Sequence, residues 1–305
     1  MIPEPKRLLL LATTTGYQAR VFAEAAERLG LEVVLATDRC KGLDDPWQDR
    51  SIPVQFHDPF AHLEKLEAAA RQRPFAAIVA LGDRPTFLAA LAAERLGIPF
   101  HPPAAVEACN NKYLARERYR AAGLLVPDYF RIALGEDPAK AARRALFPCV
   151  LKPLGLSGSR GVIRADTPSE FIAAFERIRA LLDSREFLAQ PSEQNRWVQV
   201  ESFIPGREFA IEALVTGGRL DVLAVFDKLD PLDGPFFGKT IYVTPVPPEP
   251  RSTARADPRD PARGAGAGSD AWAAARRGAA QPAGRLDPRG RRPPHRRPVR
   301  PGPAL

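Results

Sequence analysis

The residues of this chain best suited to chemistry lie between Phe147 and Gly161. A short apolar stretch leads directly to Lys152, and the chain then continues as a loop rich in glycine and serine, which contains Gly155, Ser157, Gly158, Ser159 and Gly161. Glycine lets backbone N–H groups approach a ligand closely, and successive N–H groups form a concave anion site. An adjacent lysine adds a point charge. This combination predicts a binding site for the polyphosphate of a nucleotide.

The loop differs from the two best-known phosphate-binding motifs. No Gly-Lys-Ser/Thr sequence closes it, so it is not a Walker A loop. The chain also lacks the G-x-G-x-x-G fingerprint, which argues against a dinucleotide site and a Rossmann-type oxidoreductase. Taken alone, the segment is equally consistent with a Gly/Ser-rich turn between two strands.

Candidate partners for this loop lie on both sides of it. Lys112 begins a helix that ends at Gly123, although a lysine at a helix start is often simply solvated. Downstream, alternating strands carry Glu201 and Glu208, which could equally be solvent-facing positions. Lys228 ends a further strand and has the weakest support of these residues.

The elements that must position these residues fall into two halves. In residues 1–105 strands alternate with helices, which predicts a parallel sheet with helices on both faces. The strands are expected at 7–12, 31–37, 52–55 and 75–81, and the helices at 17–30, 58–72 and 84–96. Thr13–Gly16 and Leu81–Asp83 follow strands, where open α/β sheets bind ligands, although a plain turn is the preferred interpretation of Thr13–Gly16.

The second half begins with helices and ends with a meander. Helices are expected at 111–122, 137–146 and 168–182, strands around Lys152 and at 161–165, and a polar loop at 184–195. From 196 the apolar residues alternate, and Thr216-Gly217-Gly218-Arg219 predicts a hairpin turn. We therefore divide this part into 106–195, with the first lysine and the Gly-rich loop, and an antiparallel subdomain, 196–245.

Four segments together resemble the ATP-grasp superfamily, in particular the ligases and carboxylases related to carbamoyl-phosphate synthase and biotin carboxylase. The resemblance covers residues 1–245. It rests on Asn111–Arg116 with Ala121–Pro127, on Pro148–Gly161, on Val200–Glu208, and on Ala224–Lys228 with Tyr242–Pro245. Each motif is modest alone, whereas their order and spacing are specific. The implied fold is a Rossmann-like α/β preATP-grasp domain followed by a truncated α+β ATP-grasp domain.

The resemblance implies a role for each candidate residue. Lys112 and Lys152 are expected on the α- and β-phosphates of ATP, and residues 155–161 would close over the β- and γ-phosphates as a lid. Glu201, Ser202, Phe203 and Ile204 would form the adenine hinge, with Glu208 on the ribose hydroxyls and Lys228 as a further phosphate contact. Arg160 is the candidate catalytic residue, either touching the substrate or merely solvated.

The resemblance also implies the type of reaction. Such enzymes use ATP and Mg²⁺ to activate a small-molecule carboxylate, or bicarbonate, as an acyl phosphate for attack by an amine or another nucleophile. The magnesium ligands should follow residue 245, where this chain has no recognisable metal strand, so we expect weak ATP binding and impaired turnover. The alternative is a nucleotide-binding or regulatory module without catalysis. A homodimer is possible.

Residues 246–305 have a different composition. They contain thirteen arginines, no lysine, five acidic residues and twelve prolines, so their net charge of +8 equals that of the whole chain. Residues 1–245 are neutral, which argues against a nucleic-acid surface there. A segment this poor in large apolar residues is expected to be disordered. A genuine arginine-rich arm for nucleic acid is the competing interpretation.

A shifted reading frame would explain this segment. With suitably chosen permitted codons, Leu286–Pro303 read one nucleotide later can encode W-I-L-E-A-A-A-R-P-I-G-G-L-C, which resembles the family's metal-binding strand. The same shift gives Ala275–Pro282 a likeness to the preceding metal strand. We therefore interpret residues from about 246 onward as an out-of-frame translation of the end of an ATP-grasp domain.

The remaining sequence features point to a cytoplasmic protein. No stretch approaches the ~20 apolar residues that a membrane helix needs, and the run at 7–12 is too short for the core of a signal peptide. Three separated cysteines predict reduced thiols, and the four histidines show no spacing typical of metal ligands. No metal ligand is assigned.

Overall fold

The structure is a computed structural model that describes residues 5–14, 18–38, 51–189, 192–230, 233–238 and 241–246. These residues all belong to one compact unit, Met1–Pro247. The proposed disordered, out-of-frame segment lies outside the described residues, apart from Val246. No helix in the described ranges is both long and apolar enough to cross a membrane.

The first layer is a parallel sheet with strand order β3-β2-β1-β4, as the alternation of strands and helices predicts. Its strands are β1 (Arg7–Ala12), β2 (Glu32–Thr37), β3 (Ser51–Pro53) and β4 (Phe75–Leu81). Its helices are α1 (Ala19–Arg28), α2 (Pro59–Gln72), α3 (Asp83–Leu96) and α4 (Pro103–Asn110). Strand β1 is buried along nearly its whole length, as expected for a central parallel strand.

The second sheet has strand order β5-β8-β6-β7 and holds most of the candidate site. It consists of β5 (Tyr129–Ala133), β6 (Cys149–Pro153), β7 (Ile163–Ala165) and β8 (Trp197–Ser202). Helices α5 (Lys112–Ala121), α6 (Pro138–Ala142), α7 (Pro168–Leu182) and α8 (Arg185–Leu188) accompany it. A core that includes Phe171, Phe175 and Ile178 packs α7 against this sheet.

The third sheet is a meander of β9 (Phe209–Thr216), β10 (Arg219–Lys228) and β11 (Tyr242–Val243), with order β11-β10-β9. The turn at 217–218 joins β9 to β10, as the sequence predicts. Strand β8, however, pairs with β5 and β6 and not with this meander. The change to period-two alternation near residue 196 therefore marks β8, which is the last strand of the second sheet along the chain. The chain passes from the second sheet to the third between Ser202 and Phe209.

Several local expectations differ from the structure, and strand β5 was also not predicted. The helix predicted at 137–146 ends at Ala142, and β6 follows from Cys149. Pro148 disfavours helical backbone at Phe147, which helps to explain why no helix continues toward β6. Helix α4 was not predicted, and its start carries Pro103, a residue suited to the first turn. The polar stretch 184–195 contains α8 and ends in a turn of 3-10 helix at Glu193–Arg196 rather than being loop throughout.

Candidate functional site

The carboxylate of Glu201 is the centre of the candidate site. Glu201 lies in β8 between β5 and β6, and only 2% of its surface is exposed. Its Oε1 accepts from Arg116 Nε at 2.8 Å and from Gln199 Nε2 at 2.5 Å. Its Oε2 accepts from Lys152 Nζ at 2.5 Å and from Arg116 Nη2 at 3.1 Å. Four donors on three side chains therefore surround one buried acid.

The period of the β-strand explains how these side chains meet. Lys152 of β6 is directly opposite Gln199 of β8, and Glu201 lies two residues further along β8. Side chains two apart on a strand share a face, and diagonal neighbours on paired strands are within reach of long side chains. The register of β6 and β8 thus places the lysine, the amide and the carboxylate on one face.

The Glu201 carboxylate stays charged at neutral pH despite its burial. Burial by itself would raise its pKa, but the hydrogen bonds and charges of Arg116 and Lys152 together outweigh this effect and lower the pKa to about 2. The same hydrogen bond raises the pKa of Arg116. The cluster is therefore an ionic one, held together by a buried anion.

Lys112 enters the site from the start of α5. The side chain of Asn111 caps this helix by accepting from the backbone N–H groups of Tyr113 and Leu114. Lys112 Nζ donates to the carbonyl oxygens of Leu156 at 2.5 Å and Leu154 at 3.2 Å, at the beginning of the Gly-rich loop. Burial, together with the nearby charge of Lys152, lowers the pKa of Lys112 to about 8. Both lysines therefore lie at the beginning of the Gly-rich loop.

The Gly-rich loop keeps much of its backbone available to a ligand. Two N–H groups close turns within it, from Arg160 to the Ser157 carbonyl at 3.3 Å and from Val162 to the Ser159 carbonyl at 3.1 Å. Within the part of the chain that the structure describes, the N–H groups of residues 155–159 donate no hydrogen bond. Ser159 has a φ of 59°, in the left-handed region that few side chains adopt.

Arg160 is bound to α8 rather than pointing freely from the loop. Its two terminal nitrogens donate to the Glu186 carboxylate at 2.7 and 2.6 Å, and its guanidinium lies 4.8 Å from the ring centre of Phe187. Both members of the pair are substantially exposed. The loop is thereby tied to α8, and the catalytic role of Arg160 stays a prediction.

The predicted adenine hinge follows β8. Ser202 N–H donates to the Asp128 carbonyl at 2.9 Å, and Phe203 N–H donates to the Pro148 carbonyl at 2.8 Å. The N–H group of Ile204 makes no hydrogen bond within the described residues, and its side chain is exposed. The Glu201 side chain already accepts from three neighbouring side chains.

Glu208 and Lys228 form a separate pair on the meander. Lys228 Nζ donates to the Glu208 carboxylate, and their backbones are also hydrogen-bonded at 3.3 Å. Burial is the largest single effect and lowers the pKa of Lys228, but the hydrogen bond and charge of Glu208, together with Tyr242, outweigh it and raise the pKa. No hydrogen bond or ion pair joins this pair to Glu201 or Lys152 among the described residues.

The structure therefore brings together Lys112, Lys152, Glu201 and the loop, and adds two residues that the sequence analysis did not assign. Arg116 lies one helical turn after Lys112, and Gln199 lies two residues before Glu201 on the same strand face. Both could have been found from the i,i+4 and i,i+2 spacings. No group of three or more acidic, histidine or cysteine side chains that could hold a metal occurs in the described ranges.

Comparison with known sequence families gives two matches. Residues 145–251 match the ATP-grasp domain, and residues 23–100 match the ATP-grasp N-terminal domain. The first match contains Lys152, the Gly-rich loop and Glu201. The second corresponds to most of the parallel sheet. The α/β preATP-grasp and α+β fold class expected from the sequence is thus confirmed.

Individual relatives are similar over part of their length. The "ATP-grasp enzyme fsqD" of Aspergillus fumigatus is 28% identical over 182 residues, which are 56% of this chain and 30% of that protein. Dapdiamide A synthase of Enterobacter agglomerans is 31% identical over 111 residues, 36% of this chain and 24% of that protein. The crystal structure of an L-amino acid ligase from Bacillus licheniformis superposes with a TM-score of 0.65 at 27% identity and covers 80% of this chain and 57% of the ligase. The chain thus spans less than two thirds of each.

Proposed function

Because residues 23–100 and 145–251 match the two domains of the ATP-grasp superfamily, we propose that Lys112, Lys152 and the loop 155–161 bind the phosphates of ATP. The observation that carries this proposal is the charge of the cluster. Lys112, Lys152 and Arg116 bring three positive charges to a site whose one buried anion is Glu201, so the site keeps a net positive charge even with exposed Asp83, the other acid that acts on Lys112. Partly buried cations without an anion attract a polyphosphate strongly.

The remaining hinge residues would hold the nucleoside. The backbone of Glu201, Ser202, Phe203 and Ile204 lies at the end of β8, and the unbonded N–H of Ile204 can donate to a ring nitrogen of adenine. Glu208 would accept from the ribose hydroxyls, and Lys228 would release it in order to reach a phosphate. Arg160 would likewise exchange Glu186 for the substrate as the lid closes.

We propose that the reaction is ATP-dependent activation of a carboxylate. A carboxylate oxygen would attack the γ-phosphorus of ATP, and the bond to the bridging oxygen would break, which releases ADP and leaves an acyl phosphate. An amine would then attack the carbonyl carbon, lose a proton and displace inorganic phosphate. Lys112 and Lys152 would stabilise the negative charge that moves onto ADP, and the loop would exclude water from the acyl phosphate.

The relatives favour an amino acid as the carboxylate and an amine as the nucleophile. The Bacillus licheniformis protein is described as an L-amino acid ligase and is similar over most of this chain. A bicarbonate substrate, as in carboxylases related to biotin carboxylase, is the alternative within this reaction class. Release of ADP in the presence of individual amino acids, or of bicarbonate alone, separates the two.

The described residues do not fit a magnesium site, since they offer no cluster of candidate ligands. We propose that the Mg²⁺ ligands of the parent enzyme are encoded after residue 245 in the shifted frame. In support, the match to the ATP-grasp domain ends at residue 251, close to the change in composition. Resequencing the gene tests this: confirmed DNA whose shifted frame lacks a glutamate-containing strand would contradict it.

The second candidate function is nucleotide binding without turnover. The same absence of a metal cluster among the described residues favours it for the chain as written. Metal-dependent release of ADP during a screen of carboxylates, measured on the protein as written and on a frame-corrected protein, distinguishes the candidates. Turnover only after correction supports both the ligase and the frameshift proposals.

The central experiment is ATP binding by the full chain, measured by calorimetry. Lys152→Met should weaken binding at least about tenfold, equivalent to ~1.4 kcal/mol. Lys140→Met on α6 is the matched control, because this lysine is exposed and lies outside the cluster. Equal ATP affinity in the wild-type protein and in Lys152→Met would refute the site.

A further inference from the structure

We propose that Arg116 is a positioning residue that acts on ATP through Glu201 and Lys152. This inference rests on the proposed function, because it concerns how the second lysine is presented to the phosphates. Arg116 lies on α5, outside the sheet, yet its guanidinium reaches the most buried carboxylate of the site with two hydrogen bonds of 2.8 and 3.1 Å.

Hydrogen-bond donors occupy the whole of the Glu201 carboxylate. A carboxylate offers about four acceptor positions, and Glu201 receives four donors: two from Arg116, one from Gln199 and one from Lys152. The Arg116 fork is planar and fixes the plane of the carboxylate. Oε2 is thereby held at one position relative to Lys152.

The Lys152 ammonium group uses one of its protons to bind Glu201. An ammonium group has three donors, and Glu201 is its hydrogen-bond partner among the described residues, at 2.5 Å. Because Arg116 and Gln199 occupy the other acceptor positions, Glu201 engages a single proton of Lys152. Two protons then remain for phosphate oxygens, and the lysine is held in place without being fully neutralised.

Removal of the planar Arg116 fork would change the contact between Glu201 and Lys152. Without Arg116, two acceptor positions of Glu201 would be empty in a site that is almost closed to water. The carboxylate would then turn toward Lys152 as its one remaining cation, and the lysine would be withdrawn from the phosphates. The loss of Arg116 should therefore weaken ATP binding chiefly through Lys152.

A double-mutant cycle on the full chain tests this dependence. Arg116→Met should raise the dissociation constant for ATP about tenfold in the wild-type background, and less than about twofold when Lys152 is already methionine. A residue that served only the fold would weaken binding by the same factor in both backgrounds. Equal factors would therefore overturn the inference.

Two further variants keep the test informative. Arg118→Met is the matched control, since Arg118 lies exposed on the same helix and should leave the affinity unchanged. Arg116→Lys keeps the charge but loses the planar fork, so it should give an intermediate dissociation constant, and it serves as the test if the methionine variant does not fold. Full recovery by lysine would show that charge alone suffices and would contradict a positioning role.

The outcomes separate this inference from the proposed function. If the wild-type chain and Arg118→Met bind no ATP, the proposed function fails and the inference fails with it. If both bind ATP and the Arg116→Met effect is independent of Lys152, the inference alone is wrong.

Discussion

Nζ of Lys112 lies 2.5 Å from the carbonyl oxygen of Leu156, so the first lysine of the site also holds the start of the Gly-rich loop. A second bond, to the Leu154 carbonyl, and a backbone bond between the same two residues strengthen this attachment. A phosphate that drew the Lys112 ammonium toward itself would release these carbonyls. Binding and movement of the loop are therefore linked through one side chain.

Loss of the Lys112 ammonium should loosen the loop. In Lys112→Met the Leu156 carbonyl loses its donor and the Leu154 carbonyl keeps only the backbone N–H at position 112, so the turn-closing amide hydrogens of Arg160 and Val162 should exchange faster in the absence of nucleotide. Hydrogen–deuterium exchange with mass spectrometry measures this. Lys140→Met should leave exchange in this segment unchanged, and an unchanged rate in Lys112→Met would show that the lysine does not hold the loop.

The affinity for ATP should fall as the pH rises above neutrality. The pKa of Lys112 is about 8, and only its protonated form attracts phosphate, so the dissociation constant should rise about tenfold between pH 7 and pH 9. Lys112→Arg stays charged throughout this range, and its dissociation constant should depend less on pH. Parallel pH profiles for the two proteins would contradict this assignment.

The free energy of unfolding should rise with pH because of Lys112, whereas the affinity for ATP should fall. Between about 8 and the ordinary value of 10.5, the unfolded chain retains a proton that folded Lys112 has released. Stability rises with pH wherever the unfolded state binds more protons, so Lys112 contributes a rising free energy of unfolding in this window. Urea denaturation at pH 8 and 10 should show that Lys112→Arg lacks this contribution.

Removal of the Glu201 charge should be costly. Glu201→Gln leaves Arg116 and Lys152 without their anion, and breaking a buried ion pair in this way costs about 3 kcal/mol or more of unfolding free energy. The contribution of the carboxylate is present above its ordinary pKa of 4.5 and is lost as the pH falls toward about 2. The variant should therefore lose less stability than the wild-type protein over this acid range.

Glu186→Gln is the control for this comparison. Its pair with Arg160 also has two short hydrogen bonds, but it is largely exposed, so the variant should keep nearly the stability of the wild-type protein. Urea denaturation of the three proteins at neutral pH decides the point. Similar midpoints for both variants would show that burial does not strengthen the Glu201 cluster.

The end of the Gly-rich loop should not tolerate a side chain. Gly161 has a φ of 72°, and an added Cβ would lie 2.8 Å from Pro153 Cγ and 3.1 Å from Leu181 Cδ2. Gly161→Ala should therefore lower the free energy of unfolding by about 1–2 kcal/mol. Gly135→Ala, where an added Cβ meets nothing within 4 Å, should change it little. Thermal denaturation of both variants measures the difference.

The meander should promote self-association. Strand register places Ile211 and Val215 on one face of β9 with Leu220 and Val222 of β10, and Ile211, Leu220 and Val222 are 63%, 60% and 54% exposed. An exposed apolar patch of this kind favours contact between copies. Sedimentation velocity should show concentration-dependent dimers or larger species, which Ile211→Glu removes. The equivalent change at Leu29, the exposed residue that follows α1, should not remove them, and a monomeric wild-type chain would exclude this surface.

Local sequence determined much of the architecture. The alternation of strands and helices was sufficient to predict the parallel sheet, because the spacing of apolar residues shows which face of each strand or helix is apolar. Gly97 ends α3 in a left-handed conformation, and Thr167 caps α7, at the positions that their residue types indicate. Residue type and order were also sufficient to select Lys112, Lys152, the glycines of the loop, Glu201 and Glu208 as site candidates.

Only the tertiary structure decided how these residues are used. Arg116 and Glu201 are 85 residues apart, and their contact depends on the packing of α5 against the end of a sheet. The sequence shows Glu201 as one alternating position of a strand, whereas its burial and its four donors follow from pairing with both β5 and β6. The pKa values of about 2 for Glu201 and about 8 for Lys112 arise from that packing, because burial and neighbouring charges exist only in the folded chain.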